Sequence, residues 1–167
     1  MNTGNINYKK ASSPIFRLDY TLWSSPLTAA SQPIFDFSPQ TLTNRFYTYN
    51  EATNFYTTND IYSSGTPALN ASSSFKVGRG YLIRSPNNWV SNPSSASAWT
   101  GTFTGVPNNG DISVAINRTT GDVYGYNAVG NPYPSPISIK TIGQGLWRKI
   151  KNRLTSGCQR RRPKCII

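Results

Sequence analysis

Several stretches of the first 136 residues alternate apolar and polar positions with the period of two that marks a strand with one buried face. Residues 14–23 place Phe16, Leu18, Tyr20 and Leu22 on one side and Arg17, Asp19 and Thr21 on the other, which predicts a half-buried strand ended by Trp23-Ser24-Ser25-Pro26. Residues 45–49 and 55–58 predict a hairpin, because aromatic and β-branched side chains favour strands and the connection Asn50-Glu51-Ala52-Thr53-Asn54 favours a turn. Residues 81–84 predict a strand stopped by Pro86 and entered through the turn glycines of Gly78-Arg79-Gly80. Residues 99–103 and 111–117 predict a second hairpin, with Ile112, Val114 and Ile116 inward and Asn109-Gly110 supplying the turn. A last strand is expected over residues 123–129.

Between these strands lie turns and loops. Residues 31–40 read as a loop anchored by Phe35 and Phe37, and residues 63–74 as a polar loop. Residues 91–97, rich in Ser, Pro and Asn, read as an exposed insertion that brings Trp89 and Trp99 to its two ends. After Val129, three prolines in five residues (Pro132, Pro134 and Pro136) fix φ and remove backbone donors, so the chain passes from a strand into a rigid turn.

Four segments recur in a recognisable order. They are Tyr20-Thr21-Leu22-Trp23-Ser24-Ser25-Pro26, Gly78-Arg79-Gly80-Tyr81-Leu82-Ile83-Arg84, Gly105-Val106-Pro107-Asn108-Asn109-Gly110-Asp111 and Tyr126-Asn127-Ala128-Val129-Gly130-Asn131-Pro132-Tyr133-Pro134. Together they resemble a β-rich region of large secreted or cell-surface proteins of Bacteroidota, of the kind that end in a type IX secretion sorting domain, over residues 14–136. The resemblance implies an extracellular or cell-surface parent protein, with its other domains as partners. It brings no catalytic or ligand-binding residue with it.

Composition sharpens this picture. Aromatic residues make up 13% of a chain whose hydrophobic fraction is 37%, so its core must rest on large rings. The formal net charge of +11 is unevenly placed: residues 1–136 carry 8 Lys/Arg against 6 Asp/Glu, whereas residues 137–167 carry 9 Lys/Arg and no acid. The body is therefore nearly neutral, and an argument for nucleic-acid binding applies to the tail alone. Both cysteines, Cys158 and Cys165, also lie in the tail, and the chain has no histidine, so no Cys/His metal cluster is expected. The N-terminal ten residues lack the apolar run of a signal peptide, and no stretch approaches the ~18 apolar residues of a membrane span.

In the tail, Leu146, Trp147, Ile150 and Leu154 fall at helical spacing among Arg148, Lys149, Lys151 and Arg153, which predicts a short basic amphipathic helix. Arg160, Arg161, Arg162 and Lys164 add a second cluster, and the two together form a candidate surface for nucleic acid, an anionic membrane or an import receptor. The abrupt change of composition after Pro136 also fits a truncated or frame-shifted end.

Candidate chemistry is sparse. The carboxylates of the body are Asp19, Asp36, Glu51, Asp60, Asp111 and Asp122, and turn or strand-edge positions account for them more simply than a glycosidase pair does. Asn108, Asn109 and Asp111 are oxygen donors close in sequence, but a single carboxylate is thin for calcium. No cofactor and no enzymatic activity are expected. Trp23, Trp89 and Trp99 are candidate stacking platforms for an extracellular polysaccharide, an alternative to a structural or adhesive role. The expected fold class is all-β: an antiparallel β-sandwich-like module of many short strands, incomplete at its end. A flexible N-terminus (residues 1–13) precedes the module (residues 14–136), and the short basic helical tail (residues 137–167) follows it.

Overall fold

The computed structural model describes residues 3–28, 32–92, 94–117 and 126–137, together with the pair Cys165–Ile166. The protein is all-β, with two antiparallel sheets that do not close into a barrel. One sheet has the order β1-β7-β3, formed by β1 (Ile6–Ile15), β3 (Leu27–Thr28) and β7 (Ser97–Pro107). The other has the order β2-β6-β4-β5, formed by β2 (Tyr20–Trp23), β4 (Phe46–Asn50), β5 (Phe55–Thr57) and β6 (Tyr81–Arg84). A two-residue parallel pairing joins β8 (Asn127–Ala128) to β9 (Cys165–Ile166).

The core lies between the two antiparallel sheets. Trp23, Phe46, Tyr81 and Ile83 enter it from the four-stranded sheet, and Leu27 and Phe103 from the three-stranded one. Ile34 and Phe37, on the short 3-10 turn Ile34–Phe37, and Phe75 fill the space between them. The rings meet edge to face or offset: Phe37 stacks on Phe103 with centroids 4.5 Å apart, and Phe75 meets Phe103 at 5.3 Å and Tyr81 at 5.0 Å. Such contacts add to area burial, so a core poor in aliphatic residues can still hold. Residue 101 has to be glycine, because an added Cβ would sit 2.4 Å from the Phe37 ring.

The hairpin of β4 and β5 forms as the sequence predicts, and Asn54 takes the positive φ of 59° that closes its turn. The strand over residues 81–84 and the turn before it also form, with Gly78 at φ 70°. Phe37 is a buried anchor and Phe35 packs half-buried beside it.

Three expectations are corrected. The flexible N-terminus over residues 1–13 gives way to the ten-residue strand β1, whose ladder with β7 runs from Ile6 opposite Gly105 to Ile15 opposite Ser97. The ladder satisfies backbone groups directly, so a strand that buries little side-chain area is still fixed. The single strand over residues 14–23 is broken by a turn, in which Asp19 Oδ2 accepts from the Phe16 N–H at 2.8 Å and the Asp19 N–H donates to Phe16 O. The buried side is also the opposite one: Leu18 is 61% exposed, and in β2 Trp23 faces the core while Tyr20 faces out. The larger indole takes the buried side. Finally, residues 111–117 form no strand; β7 pairs instead with β1 along residues 97–105 and with β3 at Val106 and Pro107. The predicted strand over residues 123–129 is seen as β8 with Val129 bridging Arg79, and residues 118–125 lie outside the described residues.

Candidate functional site

The tryptophans come first, because they were the expected platforms. Trp23 is only 4% exposed, and its ring is enclosed edge to face by Phe37 at 5.1 Å and Trp99 at 5.5 Å. It presents no face to a sugar, which corrects that expectation: its aromatic surface is already used in the core. Trp99 is half-buried against the same cluster, 5.4 Å from Phe37. Trp89 is half-buried in the loop before β7, and its indole N–H donates to Ser97 O at 3.2 Å. The three rings do not make one platform.

Three of the six acids, Asp19, Asp60 and Glu51, serve local structure. Asp19 closes the turn into β2, and Asp60 accepts from the Tyr62 N–H at 3.1 Å and the Ser63 hydroxyl at 2.7 Å. Glu51 is buried at the tip of the β4–β5 hairpin and lies 3.8 Å from an Arg79 guanidinium nitrogen, too far for a hydrogen bond. Arg79 in turn lies over the Tyr62 ring, 4.8 Å from its centroid. Burial, reinforced by the Glu51 charge, pushes the Tyr62 hydroxyl well above its ordinary value of 10.0, and burial does the same to Tyr81. Among the described residues no group of three or more His, Cys, Asp or Glu converges on a metal position. Asn108 is held by Thr28 Oγ1 and donates its amide N–H to Pro132 O at 2.8 Å, so its polar groups serve the loop.

The proline-rich turn packs against β1 and leaves a shallow cleft of about 250 Å³. Tyr8, Lys10 and Ser24 line it from one side, Asn131, Tyr133 and Pro134 from the other, and among the described residues no carboxylate lines it. The Tyr8 hydroxyl donates to Pro134 O at 3.1 Å across it.

A different cluster gathers on the outer face of the four-stranded sheet. Successive side chains of a strand point to opposite faces, so while Trp23, Phe46, Tyr81 and Ile83 face the core, Tyr20, Leu22, Tyr47, Leu82 and Arg84 share the other side. Tyr20 stands directly opposite Arg84 in the β2–β6 ladder, and Leu82 lies between Leu22 and Tyr47. The Tyr20 and Tyr47 rings are 6.0 Å apart and tilted, and Arg45 donates from its guanidinium to the Tyr47 hydroxyl at 3.3 Å. Partial burial, together with a hydrogen bond to the Tyr47 hydroxyl, raises the Tyr20 hydroxyl above 10.0, while the charges of Arg45 and Arg84 pull it down. Arg84 donates to Asn87 Oδ1 at 3.2 Å, and its Nε is buried without a hydrogen-bond partner. Sequence reasoning did not single out Tyr20, Arg45, Tyr47 and Arg84 as a site. The alternation of residues 45–49, which sets Arg45 and Tyr47 on the side opposite Phe46 and Thr48, was the signal for them.

The basic residues of the tail, Arg148, Lys149, Lys151, Arg153, Arg160, Arg161, Arg162 and Lys164, lie outside the described residues. Among the described residues no helix is long and apolar enough to cross a membrane. A family model described as a domain of unknown function (DUF8693) matches residues 1–156, so the match runs past Pro136 into the basic segment. No curated protein and no solved structure matches the chain.

Proposed function

The chain belongs to that family, and on this footing we propose that it is a non-catalytic adhesion module of a larger secreted or cell-surface bacterial protein. The observation that carries the reading is the way the acids are used. Asp19 and Asp60 close turns, Glu51 faces Arg79, and among the described residues no carboxylate lines the cleft beside β1. A hydrolytic site needs a positioned acid or base beside a space for substrate, and these groups are committed elsewhere. The open surface offers instead a sheet face bearing tyrosine and arginine, residue types enriched where proteins hold partners. The resemblance to β-rich regions of large Bacteroidota proteins supports the cell-surface setting.

The test is to incubate the full chain with insoluble polysaccharides and with envelope fractions of Bacteroidota cells, and to measure both retention and product release. Retention with no soluble sugar, acyl or phosphate product is the expected result. Catalytic release of product overturns the non-catalytic part of the proposal, and no retention on any surface overturns the adhesive part.

A further inference from the structure

We propose that the outer face of the four-stranded sheet, centred on Tyr20, Arg45, Tyr47 and Arg84, is a binding site for an acidic polysaccharide, one whose sugars carry carboxylates. The inference rests on the adhesion reading above and names the ligand class of that module.

Two features of the face fit that ligand. It is aromatic and hydroxylated at once: Tyr20 is 41% exposed, and its ring tilts toward Tyr47 at 6.0 Å, so an aromatic surface lies beside two phenol groups that exchange hydrogen bonds with sugar hydroxyls. Its charge has one sign. Arg45 and Arg84 act on the same tyrosine, and the carboxylate nearest in sequence, Asp19, is tied back to the Phe16 N–H at 2.8 Å. A guanidinium presents paired planar donors that match a planar carboxylate. Arg84 is only 9% exposed and is held by Asn87 Oδ1 at 3.2 Å, so the half-buried Arg45 is the more accessible of the two guanidinium groups.

The density of charge decides between polyanions. A nucleic acid carries a phosphate at every step, and its binding rests on many cation contacts. Here two guanidinium groups sit among tyrosine and leucine, on a body whose residues 1–136 hold 8 basic and 6 acidic residues. Sparse charge set in an aromatic and hydroxyl-bearing surface matches a polymer that is mostly hydroxyl, with a carboxylate on its sugar rings.

The experiment is calorimetric titration of the full chain with an oligogalacturonide, an oligoalginate, a neutral oligogalactoside and a short thymidine oligonucleotide. Working in about 0.3 M NaCl shortens electrostatic reach to roughly 6 Å and weakens diffuse attraction by the basic tail. The expected result is binding of at least one oligouronide, none of the oligogalactoside, and weaker binding of the oligonucleotide. Arg45→Gln and Tyr20→Ser should each weaken oligouronide binding by about tenfold, the loss of one charge-assisted or aromatic contact. The double change Lys9→Gln with Lys10→Gln, on the other sheet, should keep the original affinity, and all variants should share one melting temperature within a few degrees. Equal binding of the neutral sugar, tighter binding of the oligonucleotide, binding of neither oligouronide, or unchanged affinity in Arg45→Gln and Tyr20→Ser would each overturn the proposal. The adhesion reading fails separately, when the unaltered chain is retained on no surface at all.

Discussion

In β1, ten residues bury a single side chain, Ile15, whereas in β6 four residues bury three, Tyr81, Ile83 and Arg84. The two strands belong to different sheets, and the contrast extends to how each sheet is held. The β1–β7 ladder fixes an almost wholly exposed strand through backbone pairing, and the sheet reaches the core chiefly through Phe103 and Leu27. The four-stranded sheet is held by rings on its inner face, and its outer face carries tyrosine and arginine, of which Arg84 is itself buried. The difference teaches that exposure of side chains and order of the backbone are separate quantities here.

That comparison can be broken at its strongest point first. Phe103 is fully buried on β7 and touches Trp23, Phe37 and Phe75, so it couples the two sheets. Phe103→Ala should cost about 4 kcal/mol, a large part of the roughly 5 to 15 kcal/mol that holds a domain, and thermal denaturation should show it. A cost under about 1 kcal/mol would mean that the sheets do not depend on each other through this ring.

The next effect belongs to the four-stranded side. Arg79→Met leaves Glu51 buried without its counter-charge and should cost about 3 kcal/mol, whereas adding Glu51→Leu should recover most of the loss. Denaturant unfolding of the two variants separates these outcomes. If the double variant is no better than the single one, the aliphatic parts of the two side chains matter more than their charges.

Alkaline pH probes the same sheet. Tyr62 and Tyr81 are raised above 10.0 by burial, so the folded protein keeps their protons while the unfolded chain gives them up. The stability they protect is complete below pH 10 and falls as pH rises past it, by about 1.4 kcal/mol per pH unit for each tyrosine. The last of the ten tyrosines to ionise should therefore do so together with the loss of the circular-dichroism signal, and ionisation of all ten without unfolding would contradict the burial.

The smallest effect sharpens the contrast most. Lys9→Ala, on exposed β1, should change stability by under about 0.5 kcal/mol, yet amide hydrogens along the β1–β7 ladder should exchange slowly. Fast exchange there would show that the ladder does not fix the strand.

Much of the four-stranded sheet was legible in the sequence because its signals are local. The β4–β5 hairpin is written in adjacent aromatic runs and an Asn-bounded turn, and β6 in the glycines before it and Pro86 after it. The other sheet was not legible, because β1 shows no apolar alternation and its partner lies about ninety residues away. The same distance misled the pairing of β7, which the sequence joins to residues 111–117 and the structure joins to β1 and β3. At the candidate site, Arg45 and Tyr47 could be placed on one face, but only the register of β2 against β6 brings Tyr20 and Arg84 beside them. Trp23 was misassigned because the side of β2 that meets the core is the one opposite Tyr20 and Leu22, and alternation alone does not say which side of a strand another sheet covers.

The span of the β1 ladder also has a meaning in time. Ile6 pairs with Gly105, so at synthesis rates of about 5 to 20 residues per second the first strand to emerge waits roughly 5 to 20 s before its partner exists. During that interval an apolar strand would invite association with its neighbours. With Lys9, Lys10 and two serines along its length, β1 stays soluble while it waits, and the polar sequence that hid the strand from a pattern search protects the nascent chain.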